Sequence, residues 1–421
     1  MVFLSILLGA YAFLGLLYWL WAAYALYRMG HSVAYLGEVS PPEPPRWPRL
    51  SVVVPACNEA DKLEPALATL LEQDYADLEI VLVDDRSTDD TGRIIDRLAA
   101  GDSRVRAEHV AELPDGWLGK VHALHVGAGR CSGEFLLLAD ADVHYRPGAL
   151  RKAISYCLAR RLDHLAALPD AWSVSFLLDS AVGAFIRQLI CMTRPWKASD
   201  PASGAFMGVG AFNLVRRSAF ESSGGFEWFR MEVADDMALG CMMKRAGARC
   251  ETVNAFSLIG LCWYRSLAEA AEGAEKGYST ALNFSITQAA VMALVLTALE
   301  LSPLFALLPL ASGRLRGVGL AGLAVFAAFL AASVQLARWS RRPIRLALLG
   351  PLSTPWAAVA AVRAALLGRR RGGVVWRGTL YPTEALRKGK RLWHRQPQEQ
   401  DQEPAPTRTR SGNDSPSGPS P

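Results

Sequence analysis

Residues 50–60 read LSVVVPACNEA, a continuous apolar, β-branched run that ends abruptly in Pro55, Asn58 and Glu59. Two later stretches repeat the pattern: LEIVLVDDRSTDDT over 78–91 and EFLLLADADV over 134–143 each run apolar and then break into acids. A run without polar alternation suits a strand buried on both faces. Leu63, Leu67, Leu70 and Leu71 mark one face of a helix between the first two runs. Asp90–Ala100 reads as a second helix, Val105–Val110 as a third strand and Gly119–Cys131 as a third helix. This alternation predicts an α/β domain, a Rossmann-like, mostly parallel sheet with helices on both faces. Such sheets bind ligands beyond the carboxyl ends of their strands, where these acids fall.

Outside this domain the 421-residue chain is unevenly apolar. Residues 1–27 carry no charge and are long enough to cross a hydrocarbon core of ~30 Å. They lack a basic N-terminal region, so they read as an uncleaved anchor with its N-terminus outside. The Pro-rich stretch SPPEPPRWP (40–48) stiffens a connector over 28–49. Residues 50–284 form the soluble domain. Thr287–Ala311 and Val318–Ala337 read as two more spans within an apolar region over 285–367. Ile344–Leu367 is broken by Pro351 and Pro355 and reads as a hairpin or a further span. Arg338, Arg341 and Arg342, with Arg369–Arg371, place both basic clusters on the cytoplasmic side only if this segment does not cross, which favours the hairpin. Ser173–Thr193 carries Asp179, Arg187 and Gln188 and reads as an amphipathic segment lying on the domain or the membrane surface. A basic cytoplasmic segment (368–395) and a disordered tail (396–421) complete the chain. The net charge of +5, drawn mainly from that C-terminal region, suits anionic headgroups, and no aromatic-interleaved basic stripe suggests nucleic acid. Seven cysteines without a CxxC pair read as free thiols.

Three acidic sites fall at the ligand-binding rim. Asp84-Asp85 could offer acceptors to the donors of a base or ribose, although Ser87, Thr88 and Asp89 beside them serve equally as helix caps. Asp140-Ala141-Asp142 has the spacing at which two carboxylates face one ion or ligand, and also the composition of a surface turn. Hard oxygen ligands of this kind suit Mg2+ or Mn2+. Asp235-Asp236 opens a helix, either complementing its dipole or supplying a general base.

VVVPACNEA, VDDRSTDDT, LADADV and ADDMAL, in this order, resemble the family 2 glycosyltransferases of GT-A fold. DGWLGKVHAL (115–124), DHLAALP (163–169), WYRSLAEAAEGAEKG (263–277) and VVWRGTLYP (374–382) resemble its membrane-bound branch, which includes hopanoid-associated and carotenoid glycosyltransferases. The resemblance implies that Pro55, Asn58 and Glu59 line a nucleotide pocket, that Asp85 contacts the base, and that Asp140 lies against the nucleotide. It implies further that Asp142, with Asp140, holds the divalent ion, that Lys120 and Arg265 approach the diphosphate, and that Asp236 is the catalytic base. Gly204, Gly208 and Gly210 of GAFMGVG, with Asp235, would border the acceptor. Relatives usually carry Glu-Asp where this chain has Asp235-Asp236, and the Q-x-x-R-W of processive synthases is missing.

The implied activity is inverting transfer of one sugar, from a donor that is most often UDP-linked, to a hydroxyl on a lipid or other acceptor at the cytoplasmic face of a multi-pass membrane protein. The rivals are a processive polysaccharide synthase, a nucleotidyltransferase and an inactive membrane scaffold. PACNEADKL lacks the glycine-rich basic loop that a nucleotidyltransferase needs.

Overall fold

The computed structural model describes residues 2–392; the tail expected over 396–421 lies outside the described residues. The chain opens with helix α1 (Val2–Ser32) and enters the sheet domain through β1 (Leu50–Ala56), α2 (Ala60–Leu71), β2 (Leu78–Asp85), α3 (Thr91–Gly101), β3 (Val105–Val110) and α4 (Gly119–Gly129). It continues through β4 (Phe135–Leu138), β5 (His144–Tyr145), α5 (Ala149–Arg160), β6 (His164–Leu168), β7 (Asp170–Ser173) and α6 (Phe176–Thr193). Next come β8 (Asn213–Arg216), α7 (Arg217–Ser222), α8 (Asp235–Arg245), β9 (Cys250–Asn254), β10 (Ile259–Tyr264) and α9 (Leu267–Ala281). The C-terminal part holds α10 (Ile286–Glu300), α11 (Ser302–Phe305), α12 (Arg316–Ser340), α13 (Ile344–Leu349), α14 (Thr354–Arg371), β11 (Gly373–Trp376), β12 (Thr379–Pro382) and α15 (Thr383–Gly389).

The main sheet has the order β3-β2-β1-β4-β8-β6-β9. β3, β2, β1 and β4 run parallel, β8 is antiparallel to both its neighbours, and β6 and β9 are parallel. Val52, Val53, Ile80 and Val81 are fully buried, as their unbroken apolar runs require. Register decides where the acids meet. Val53 pairs with both Val81 and Leu138, so the chain leaving β4 reaches Asp140 beside the last residues of β1 and β2. A small sheet of order β5-β10-β7 extends this rim.

At the opposite end, Glu79 fastens β2 to the loop before β4. It accepts from Ser51 Oγ at 2.5 Å, Ser132 N at 2.6 Å, Gly133 N at 3.1 Å and Arg49 Nη2 at 3.0 Å. Burial opposes its charge, but bonds from Arg49, Ser51 and Ser132 outweigh it and hold the carboxyl at about 2. A depressed carboxyl stabilises the fold above its ordinary value of about 4.3, and that stability is lost as pH falls toward its folded value. Glu79→Gln is therefore expected to lower the neutral-pH melting temperature and to flatten its fall at acid pH. An unchanged acid slope in a melting series would contradict this assignment.

Among the described residues, four helical stretches are long and apolar enough to cross a membrane: Val2–Ser32, Phe176–Lys197, Arg316–Ser340 and Ile344–Arg371. The set differs from the sequence expectation in two places. Thr287–Ala311 is not one continuous helix, because α10 stops at Glu300 and Pro303 lies in the first turn of the short α11. Its 15 residues rise ~22 Å, short of a ~30 Å core, and α9 meets α10 at a 110° bend. Conversely α6, expected to lie on the domain or membrane surface, packs one face against the other apolar helices, where its charges find remote partners. Arg187 Nη2 pairs with Glu300 Oε2 at 2.7 Å, Gln188 donates to Glu300 at 3.0 Å, and the Arg187 guanidinium lies 4.6 Å from the Trp19 ring centroid. Asp179 pairs with Arg342 at 3.3 Å. Paired charges of this kind are the form in which ionisable residues are tolerated in an apolar bundle.

Asn254, buried at the end of β9, stitches the sheet to the helices. Its side chain donates to Val33 O at 3.2 Å and accepts from Trp339 Nε1 at 2.9 Å, while its backbone N–H donates to Ala34 O at 2.8 Å. Residues 373–392, expected as part of a basic segment, fold back onto the sheet domain, burying Val374, Tyr381, Leu386 and Leu392 in its second core. All seven cysteines are free thiols.

Candidate active site

The two acids ending β2 have separate jobs. Asp84 is structural: Oδ1 accepts from Ser87 N at 3.2 Å and Oδ2 bonds His109 Nδ1 at 3.1 Å. Asp85 is 4% exposed, and its two oxygens accept from Arg86 Nε at 2.7 Å and Nη2 at 3.0 Å. Arg86 adopts φ 57°, a left-handed conformation that costs a side-chain-bearing residue ~1–2 kcal/mol and persists only where the surroundings fix it. Asn58, also left-handed at φ 55°, ties the β1 loop to the β2 loop by accepting from Thr88 N at 2.8 Å. Pro55, next to last in β1, lies opposite Val83, half-buried beside the same rim.

Lys120, in the first turn of α4, gathers the remaining acids. Its Nζ lies 2.7 Å from Asp140 Oδ1 and 3.2 Å from Asp235 Oδ2. Burial disfavours the ammonium, yet Asp140, Asp235 and Asp236 hold it charged and raise its pKa. Burial likewise works against the Asp140 carboxylate, but Lys120 and, farther off, Lys276 and Arg377 draw it below the usual range. Asp142 has no ion pair among the described residues: burial first, then Asp140 and Glu59, push it up to about 6 against the pull of Lys62. Burial and neighbouring Asp235 also raise Asp236.

Gly210 hinges Asp140 to Asp236. Its N–H donates to Asp236 Oδ2 at 3.0 Å, and its carbonyl accepts from Asp140 N at 3.0 Å. A Cβ on Gly210 would stand 2.6 Å from Asp140 Oδ2, and one on Gly208 only 1.7 Å from the backbone carbonyl oxygen of Asp236. These two glycines thus let the 207–210 backbone press against α8 and the D-x-D turn, whereas Gly204 has open space around its Cβ position. A small cavity is lined by Lys120, Asp140, Gly210, Asn213, Asp235 and Asp236 among others. Asp85 joins this set through α4, since a Cβ on Gly119 would lie 2.5 Å from Asp85 Oδ2.

Arg265 stays outside the cluster. It is exposed just before α9, its backbone N–H donates to Glu269 at 2.6 Å, and its guanidinium pairs with none of the site's carboxylates among the described residues. Sequence reasoning also missed a contribution. The β11–β12 hairpin covers the cleft: Thr379 accepts from Arg86 Nη1 at 3.2 Å, Tyr381 OH accepts from Gly119 N at 3.0 Å, and Arg377 pairs with Glu59. Lys276 of α9 places Nζ 3.9 Å from the Trp376 ring centroid. The available signal was Arg377-Gly378 between VVW and TLY, a two-residue turn with φ of 49° and 78°.

Residues 51–224 match the profile of the family described as Glycosyl transferase family 2. The GalNAc(5)-diNAcBac-PP-undecaprenol beta-1,3-glucosyltransferase of Campylobacter jejuni is 36% identical over 106 residues, 24% of this chain and 32% of that protein. The chain thus spans about a third of that relative's length. The 4,4'-diaponeurosporenoate glycosyltransferase of Staphylococcus haemolyticus is 24% identical over 251 residues, 59% of this chain and 65% of its own. Among solved structures, a mannosyltransferase from Pyrobaculum calidifontis in complex with GDP-Man and Mn2+ superposes with a TM-score of 0.51. It covers 87% of this chain and 97% of its own at 21% identity, a likeness of fold. With the mostly parallel sheet, the acids gathered at its carboxyl rim and the profile match over 51–224, the chain carries a family 2 glycosyltransferase domain of the GT-A fold.

Proposed function

We propose that this protein transfers a sugar from a nucleotide-sugar, UDP-linked as the first expectation, to an acceptor hydroxyl on a lipid, with inversion at the anomeric carbon. The observation that carries the reading is the Gly210 hinge, which sets Asp236 and Asp140 on either side of one backbone unit. Asp236 takes the proton of the acceptor hydroxyl as its oxygen attacks the anomeric carbon. The bond from that carbon to the donor's phosphate oxygen breaks, and its electron pair leaves with the nucleoside diphosphate. Two backbone N–H groups, Gly210 to Oδ2 at 3.0 Å and Met237 to Oδ1 at 2.7 Å, aim the Asp236 carboxylate. Burial and Asp235 make it a stronger base than a solvated aspartate.

The residues present fit a divalent ion. Asp142 offers hard oxygen ligands that no ion pair ties up among the described residues, in a spot made negative by Asp140 and Glu59. Among the described residues no group of three or more ligating side chains converges, so Asp142 and Asp140 would hold Mg2+ or Mn2+ together with oxygens of the donor. The ion would supply charge neutralisation to the leaving diphosphate.

Several features support a lipid acceptor and a membrane setting. β7 belongs to the small sheet whose β5 starts two residues after Asp142, and the turn from β7 into α6 exposes Trp172, Val174, Phe176 and Leu177. The long apolar helices support a bilayer beside this apolar rim, and the arginines just after α12 favour the cytoplasmic side. The two relatives named above carry undecaprenol and diaponeurosporenoate in their names. Membranes holding the protein, incubated with radiolabelled nucleotide-sugars, are expected to yield label in the organic extract. Label confined to water-soluble product would contradict the lipid acceptor.

A further inference from the structure

Lys120, Lys276 and Arg377 all act on Asp140, and the stretch that matches the family supplies only the first of these three. Lys120 is engaged by Asp140 and Asp235. Lys276 and Arg377 come from α9 and the β11–β12 turn, both beyond residue 224. Their charges act on Asp140 alongside that of Lys120. Lys276 has no carboxylate within 4 Å among the described residues, and the Trp376 face holds it instead. Cation–π contact orients an ammonium while leaving N–H donors free. Arg377 is held at the tip of its hairpin at φ 49°, a conformation rarely kept by an arginine, and it grips Glu59. The hairpin itself is anchored at Arg86 and over Gly119 at the start of α4, where backbone N–H groups favour anions.

Resting on the glycosyl-transfer reading above, we propose that Lys276 and Arg377 form a clamp for the donor's diphosphate, built by the C-terminal hairpin and α9, with Trp376 positioning Lys276. Charge supports it. Glu59, Asp140, Asp142, Asp235 and Asp236 already outnumber Lys120, Lys276 and Arg377, so a diphosphate entering this site needs cations whose donors are free or exchangeable. Lys276 is free of acid partners, and Arg377 can exchange one carboxylate for phosphate oxygens that its planar fork fits equally well.

The test uses the purified full-length protein in detergent with Mg2+, titrated calorimetrically with UDP, GDP, uridine and guanosine. Lys276→Gln and Arg377→Gln are each expected to weaken the preferred nucleoside diphosphate by about tenfold or more, as loss of a charge-assisted bond implies. Affinity for the matching nucleoside should be unchanged. Lys276→Arg and Arg377→Lys should recover most of the loss, and Trp376→Ala should reproduce the Lys276 defect. Equal diphosphate affinity in wild type and both Gln variants overturns the clamp. So does an equal loss for nucleoside and diphosphate, which would mark a structural role. If the wild-type protein prefers neither diphosphate over its nucleoside, the donor reading itself fails.

Discussion

Asp236→Asn is expected to lower sugar transfer by about 10²–10⁴-fold, the usual contribution of a general base, while leaving donor affinity intact. The substitution keeps the side chain's shape but removes the proton acceptor, and its single amide oxygen can accept from only one of the Gly210 and Met237 N–H groups. A pH profile gives a second view of the same group. Because burial and Asp235 raise Asp236, the wild-type rate should fall on the acid side at a pH above the ordinary aspartate range. Asp235→Asn removes the neighbouring negative charge and should move that acid limb to lower pH. Transfer rates across pH for the three proteins check both statements. Full activity in Asp236→Asn would remove the assigned base.

Gly208→Ala should be nearly as damaging, and it alters no titratable group. The added Cβ would lie 1.7 Å from the Asp236 carbonyl oxygen, and the same two elements are pressed together again where a Cβ on Gly240 would lie 2.1 Å from Met207 O. Neither backbone can yield without the other, so the 207–210 segment must withdraw from α8. Overpacking of this kind costs about 1–3 kcal/mol or more. Withdrawal also pulls the Gly210 N–H away from the Asp236 carboxylate, and a shift of ~1 Å at a reacting group can cost ~10²-fold in rate. A lower melting temperature together with loss of transfer is expected. Gly204→Ala, placed in open space, should leave stability near wild type.

Much of the sheet was legible because its signal is local. LSVVV, EIVLV and FLLL each announce a buried strand without reference to anything distant, and β1, β2 and β4 lie where these runs fall. The acids were legible because they end those runs. Features created by distant pairing were hidden. Arg187 and Asp179 made α6 look amphipathic until Glu300 and Arg342 supplied their partners. Asp84 and Asp85 look alike in sequence, and only the placement of Ser87, His109 and Arg86 separates a capping acid from a buried one. Lys276 reads as an ordinary lysine on a polar helix until the β11–β12 hairpin brings Trp376 beneath it. The GAFMGVG glycines suggested room for an acceptor, whereas the space at Gly208 and Gly210 is filled by α8 and Asp140.

A nucleotide-sugar held at the carboxyl rim of this sheet through Asp142 and a divalent ion would stabilise the folded protein. The most direct measurement is the melting temperature of the purified protein and of Asp142→Asn across a panel of nucleotide-sugars, with and without Mn2+. A ligand at 100 times its Kd adds about 2.7 kcal/mol to the native state, a readily measured rise. At least one nucleotide-sugar is expected to raise the wild-type value, more with Mn2+, and Asp142→Asn to lose the Mn2+-dependent part. No rise in wild type with any donor, or the same Mn2+-dependent rise in Asp142→Asn, would contradict it.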